Sequence, residues 1–500
     1  MADTTHCDYL VIGGGAAGCI VARRLAEHSS NRVILLEAGR VDEGDPIATD
    51  LSRLEEQDDS YDWGYRARPL ADSAQQIFYN RAKMLGGCAN HNDCAFLVPP
   101  ASDFERWVEL GATGWDYAAS KSAFERIEQR LHIESSPVGN RLSRAFIDAC
   151  RAKGLPEINL RETMTAGTGW FPLNVKGALR QSSSIAYLHP LSSLPANLEV
   201  RCETMATQLL IEQGRVVGAN IVTRTESASI RAAAEVILCA GSINSPQLLM
   251  LSGIGPGREL QQLGIEAQLD LPGVGRNLLD HVAANIACEL RQAAPPCELT
   301  PCEATALIRI DAEAPAPDVL FHYVLMLRDK YTDGDQFSAI EHGIKLSPNV
   351  ARPRSRGSLR LASNDYRDAP LIDLNYFSDA DGYDQRILIA GLRYARELAA
   401  TPALAAFIRR EVLPGPDVIH DDDWLAYIRS GAETVYHPSG TCRMGRADDP
   451  LAVLTPDLRV RGIDGLRIAD ASVFPDMVSV NICNTVMMIA ERAAEMIQRH

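Results

Sequence analysis

Residues 9–18, Tyr9-Leu10-Val11-Ile12-Gly13-Gly14-Gly15-Ala16-Ala17-Gly18, lead into apolar positions at helical spacing as far as Leu25 and then into Val33-Ile34-Leu35-Leu36-Glu37. The first apolar run reads as a strand, the glycines as a tight turn, the next stretch as a helix and Val33–Leu36 as a second strand, giving a βαβ unit. The glycines fit GxGxxG at the strand-to-helix junction: Gly13 permits the turn, Gly15 lets a pyrophosphate approach the backbone, and Gly18 lets the helix pack closely on the sheet. The helix amino terminus then faces the phosphates. Glu37, closing the second strand, is placed to accept both hydroxyls of an adenosine ribose. A merely glycine-rich turn is the weaker reading, because strand, helix and acid all occur in order. The unit by itself does not separate FAD from NAD.

Outward from this unit, 500 residues exceed what one hydrophobic core organises, so two interwoven domains are expected. With 46% hydrophobic and 23% charged residues, and no stretch near the roughly 18 apolar residues of a membrane span, no membrane association is expected. The start, MADTTHCDYL, lacks a basic region followed by an apolar one, which points to the cytoplasm. Twelve cysteines are scattered without a CxxC pair and read as buried thiols, with no metal site expected. A net charge of −16 argues against nucleic acid as a partner.

Gln208–Ile211, Val216–Val222 and Glu235–Cys239 read as strands, and 103–110 and 117–131 as helices packed on the cofactor domain. From Ala287 to about Asp423, Pro-rich spacers such as Ala314-Pro315-Ala316-Pro317 separate alternating segments such as Gly357–Leu361, which suggests an antiparallel sheet facing the substrate. A strand at Leu466–Asp470 and a helix from about Asn484 to Gln498 return to the cofactor domain. The expected fold class is therefore α/β, or α+β in two domains. A discontinuous cofactor domain takes 1–152, 193–285 and 435–500, and a substrate domain takes 153–192 and 286–434.

Four segments carry a family likeness: Gly241-Ser242-Ile243-Asn244-Ser245-Pro246 onward to Gly255; Arg81 to Asn92; Tyr436-His437-Pro438-Ser439-Gly440-Thr441; and Ala469-Asp470-Ala471-Ser472 through Asn481 to Glu491. Over nearly the whole chain the sequence resembles the glucose–methanol–choline (GMC) family of FAD oxidoreductases, and within it the choline oxidases. The resemblance implies a Rossmann-like FAD-binding domain, an antiparallel-sheet substrate domain, and oxidation of a small primary alcohol to the aldehyde, with an onward step to the acid through the hydrate. Dioxygen is the implied acceptor, a quinone or carrier protein the alternative, and a GMC-type lyase the more distant one. A homodimer is the implied assembly.

Hydride leaves a carbinol carbon most easily when the hydroxyl proton is already departing, and an imidazole can take that proton. By resemblance His437 is the catalytic histidine, and Asn481 is the second partner of the substrate oxygen beside the flavin. Gly87, Asn92, Asp470 and Ala471 fall in the cofactor-contacting motifs. His91 stands where choline oxidases tether the flavin covalently; a histidine hydrogen-bonded near a non-covalent flavin is the competing reading. Cys88 and Ala89 replace small hydroxyl residues, and Asp93 replaces a serine, where a carboxylate disfavours an anionic reduced flavin. Trp63 and Tyr436 resemble aromatics that box a quaternary ammonium, or are ordinary core aromatics. Glu303 matches a substrate-binding glutamate or coincides with it by accident. Arg352 replaces a second active-site histidine; it either attracts a carboxylate, phosphate or sulfonate, or points away and pairs with an acid. Amino, zwitterionic and anionic alcohols all remain open as substrates.

Overall fold

Thr4–Ile12, the helix Gly18–Glu27 and Val33–Leu36 form the expected βαβ unit in this computed structural model. The structure describes residues 4–499 apart from 28–29, 58, 71–75, 137–138, 163, 298 and 326–339; the last segment lies within the region expected to build the substrate sheet. Two glycines are obligatory at the turn. Gly13 has φ +102° and a Cβ there would lie 2.5 Å from the Cys239 carbonyl oxygen, while a Cβ on Gly18 would lie 1.8 Å from the Gly13 oxygen.

Thr4–Ile12 lies inside a seven-stranded sheet between Val33–Leu36 and Ser227–Leu238, with Leu198–Arg201 at the edge beyond Val33–Leu36. Leu466–Ile468 adds in parallel to the end of Ser227–Leu238, and the hairpin Met205–Glu212 and Arg215–Val222 completes the sheet in antiparallel pairing. Helices cover the parallel part, so its strands are apolar without alternation: all four residues of Val33–Leu36 are buried. The carboxyl-terminal helix Cys483–Gln498 packs against Gly18–Glu27 and against Tyr117–Arg130.

The second large sheet has eight strands, and every pairing in it is antiparallel. Its central strands are Ile286–Leu290, Gly343–Val350, Val319–Val324 and Ala304–Ile308. One face is apolar: Ile344, Leu346, Val350, Phe321, Tyr323 and Ile286 form a core with the helices Arg141–Ala152, Tyr383–Ala399 and Asp421–Gly431. The opposite face carries Lys345, Ser347 and Asn349 on one strand and His322 on the next, because alternate residues of a strand point to opposite sides.

One expectation is overturned. Gly357–Arg360 does not join this sheet but a separate five-stranded one with Arg276–Leu278, Leu371–Asp373, Arg66–Ala67 and Ile77–Phe78. Its inward residues Leu359 and Ile372 pack into the cofactor-domain core, and that burial selects the partner. Among the described residues no helix is long and apolar enough to cross a membrane.

Candidate active site

A cavity of about 490 Å³ runs from Glu37, at the end of the second parallel strand, to the polar face of the antiparallel sheet at His322, Lys345 and Ser347. Three helices begin on it: Ala16 and Ala17 precede Gly18–Glu27, Gly241–Leu251 contributes its first turns, and Ile482 and Cys483 open the carboxyl-terminal helix. Their amino termini turn positive dipole ends toward the same space, which favours an anionic ligand.

The lining fits FAD. Gly13, Gly15 and Gly87 line the cavity, and a Cβ on Gly87 would come 2.7 Å from the Gly15 Cα, so Gly87 must be bare. Glu37 accepts from Gly14 N at 2.8 Å and Gly39 N at 2.7 Å, which fixes its carboxyl on the cavity wall, and burial pushes that carboxyl up to about 7. Both amide atoms of Asn80 and Oδ1 of Asn481 are buried without a protein partner, although both residues line the cavity. Unsatisfied groups of this kind cost about 1–3 kcal/mol each, so the cavity calls for a polar ligand.

At the other end the histidines are ordered by a chain of hydrogen bonds. His281 Nε2 lies 3.0 Å from the Ala351 oxygen and 3.0 Å from the Val478 oxygen, both acceptors, so that nitrogen carries the hydrogen. In a neutral ring His281 Nδ1 is then an acceptor, and His437 Nδ1–H donates to it at 2.8 Å. His437 Nε2 is left unprotonated. It faces the Asn481 amide nitrogen at 3.5 Å and lines the cavity. Burial first, then His281, His322 and Arg81, hold the His437 imidazolium well below its usual range; burial likewise brings His281 down to about 4. The His437 backbone N–H donates to Asp280 Oδ1 at 2.9 Å, and Asp280 is held in turn by the Thr434 and Tyr376 hydroxyls, each at 2.6 Å. A neutral imidazole with its free nitrogen toward a cavity can accept a proton.

The remaining sequence-selected residues divide into two groups. Gly87, His91, Asn92, Asp470, Ala471, Trp63 and Tyr436 line the cavity. The Asp470 carboxylate is engaged by protein, accepting from Gly241 N at 2.9 Å, Ser245 Oγ at 2.6 Å and Ser472 Oγ at 2.6 Å, and so it shapes the turn before Gly241–Leu251. Trp63 stacks parallel to Tyr65 with ring centres 5.9 Å apart and has the Lys83 ammonium 4.5 Å from its own centre. Tyr436 has a left-handed backbone at φ +61°, stabilised by Thr434 Oγ1 at its N–H and by the Arg81 guanidinium at its oxygen.

Three residues lie elsewhere. Arg352, two residues past the strand Gly343–Val350, is not on the cavity wall; its guanidinium pairs with buried Asp103 at 3.1 Å. Asp103 also accepts from Ser479 N and Oγ, so this pair ties the loop before Asn481 to the helix Ala101–Glu109. Glu303 is buried against Ser143 Oγ at 2.6 Å, away from the cavity, because it faces the Arg141–Ala152 helix. Gly18 is also off the wall, where its closeness to Gly13 is what matters.

Sequence reasoning passed over His281, His322, Lys345, Asn80 and Gly241 as individual site residues. Gly241 had a signal, since Ser227–Leu238 followed by Gly241 and a helix repeats the strand–glycine–helix order of residues 4–27. The others are single polar residues in strands or loops, with no local pattern to mark them.

The family described as GMC oxidoreductase matches residues 7–283 and 353–490. Choline oxidase of Arthrobacter globiformis is 38% identical, over 98% of this chain and 94% of its own length. An alcohol dehydrogenase [acceptor] of Pseudomonas putida is 33% identical, over 98% and 96%. Among solved structures, pyridoxine 4-oxidase from Mesorbium loti superposes with a TM-score of 0.90 at 29% identity, covering 99% of both chains.

Proposed function

Because the chain belongs to the GMC oxidoreductase family and is an FAD-dependent alcohol oxidoreductase, we propose that it converts a small primary alcohol to the aldehyde, with His437 Nε2 taking the hydroxyl proton. Bound FAD supplies the acceptor for the carbinol hydride. The observation that carries the reading is the hydrogen-bond chain from the Ala351 and Val478 carbonyls through His281 to His437, which leaves a free imidazole nitrogen on the cavity wall. Asn481 would hold the substrate oxygen beside that nitrogen, and its unpaired Oδ1 is available to a substrate or cofactor hydrogen. As the alcohol loses its proton to His437, the carbinol carbon becomes the better hydride donor.

Glu37, Gly13, Gly15, Gly87, Asn92 and Ala471 would hold the cofactor, and His91 on the cavity wall would tether it covalently. Acid precipitation tests the tether: a yellow pellet is expected, and a yellow supernatant over a colourless pellet would overturn it. Dioxygen is the proposed acceptor. A carrier acceptor is the second reading, favoured by Asp93 on the cavity wall, where a carboxylate opposes negative charge beside it.

His437→Ala should slow anaerobic flavin bleaching by an alcohol substrate roughly 100- to 10,000-fold while flavin content is retained. Unchanged turnover would remove His437 as the base.

A further inference from the structure

The polar face of the antiparallel sheet presents one charge that has no counter-charge among the described residues. Lys345 is 6% exposed, lies in the middle of the strand Gly343–Val350 and lines the cavity. Strand alternation sends Ile344 and Leu346 into the apolar core and Lys345 and Ser347 to the other side, beside Val324 and His322 of the neighbouring strand. Among the described charged residues on the cavity wall, Lys345 alone has a side chain with neither an ion pair nor a hydrogen bond. The others are engaged. Glu433 accepts from Asn285 Nδ2 at 2.8 Å, Asp93 from Thr300 Oγ1 at 3.3 Å, and the Arg81 guanidinium is held by the Asn80 and Tyr436 oxygens.

An ammonium withdrawn from water without a counter-charge is costly, and the cost is recovered when an oxyanion arrives. His322 adds to the same place. Its Nδ1 accepts from Asn349 Nδ2 at 3.3 Å, which leaves Nε2–H as a donor, and the ring stacks on cavity-lining Phe171 at 5.9 Å. Ser347 donates to Asn285 Oδ1, which points that amide's own donors at Glu433.

We propose that the substrate is a short alcohol bearing an oxyanion, with the anionic end on Lys345 and His322 and the carbinol at His437. The inference rests on the alcohol-oxidation reading and replaces Arg352, which is already paired with Asp103, as the group that receives the anion. Glu433 on the same wall makes an aminoalcohol the competing substrate, and the two differ in sign.

The test is anaerobic flavin bleaching of the holoenzyme by 3-hydroxypropionate and 4-hydroxybutyrate, by isethionate as the sulfonate, by the matching 1,3- and 1,4-diols, and by choline and 3-amino-1-propanol. The wild type should favour at least one anionic alcohol over its diol by roughly 10- to 100-fold in kcat/KM, the range of a charge-assisted bond. Lys345→Met should bring that ratio near one, and Lys345→Arg should keep most of it. The carboxylate and sulfonate arms identify which oxyanion is used. Malonate, which carries no alcohol, should compete with substrate in the wild type and compete at least tenfold more weakly in Lys345→Met. A ratio untouched by Lys345→Met, or a wild-type preference for the cationic alcohols, overturns the inference. Diol bleaching that is lost in His437→Ala but shows no anion preference sinks the Lys345 assignment and leaves alcohol oxidation standing. Bleaching by none of these alcohols sinks the Lys345 assignment, and His437-independent bleaching sinks the base assignment.

Discussion

The two large sheets meet the cavity in opposite ways. The parallel strands of the first sheet are covered by helices and offer the ligand only their ends, with glycines, backbone N–H groups and the carboxylates Glu37 and Asp470. The antiparallel sheet offers the ligand a whole face, with Lys345, Ser347 and His322 toward the cavity and Ile344, Leu346, Phe321 and Tyr323 toward a helical layer. A recurring cofactor is gripped by backbone, which tolerates little change in residue type. A substrate is gripped by side chains, whose identity can vary while the alternation that buries the other face is kept.

This contrast breaks first at Arg352. If only residues on the polar face reach the substrate, Arg352→Leu should act on stability, because it leaves the fully buried Asp103 carboxylate without its guanidinium. Loss of one partner of such a pair costs about 3–5 kcal/mol, read as a lower denaturant midpoint. The preference for anionic over neutral alcohols should persist. Loss of that preference would place Arg352 in the substrate site after all.

The contrast sharpens at His281, which belongs to neither sheet face yet sets the protonation of His437. The folded protein keeps His281 neutral down to about pH 4, whereas the unfolded chain takes up a proton near 6.5. Between those values the unfolded state binds more protons, so stability falls as pH drops from 6.5 toward 4, by about 3 kcal/mol for this one ring. His281→Gln should flatten that decline in melting temperature against pH, and an unaltered slope would mean that His281 does not carry it. The smallest effect expected is kinetic: His281→Ala should lower kcat/KM by ~10- to 100-fold through loss of the His437 tautomer, whereas His281→Gln, with an acceptor and a donor of its own, should recover most of the rate. Equal losses in both variants would reduce His281 to packing.

The cofactor end was legible because its requirements are local. Gly13, Gly18 and Glu37 lie within one βαβ unit: Gly13 is demanded by its own φ of +102°, Gly18 by the Gly13 oxygen, and Glu37 holds Gly14 and Gly39 of the same unit. The strands read at Gln208–Ile211, Val216–Val222 and Glu235–Cys239 and the helices read at 103–110 and 117–131 coincide with observed elements, although the strand Ser227–Leu238 begins eight residues before its reading. Gly357–Arg360 was read as a strand correctly but given to the wrong sheet, since alternation specifies a buried face and not which core buries it. Arg352 and Glu303 were each left with two readings for a related reason. The sequence allowed Arg352 to pair with an acid, but nothing nearby in the chain announced Asp103, 249 residues away, or Ser143 beside Glu303, as the partners.

Sequence alone therefore determined the nucleotide-binding turn, which short-range geometry encodes, and the resemblance of contiguous motifs pointed to the family and to His437 and Asn481. Only the tertiary structure decided that His281 orients His437, that Arg352 is already paired, and that Lys345 has no counter-charge among the described residues. Whether a buried charge is free depends on groups brought together from distant segments, and that is settled when the sheets pack.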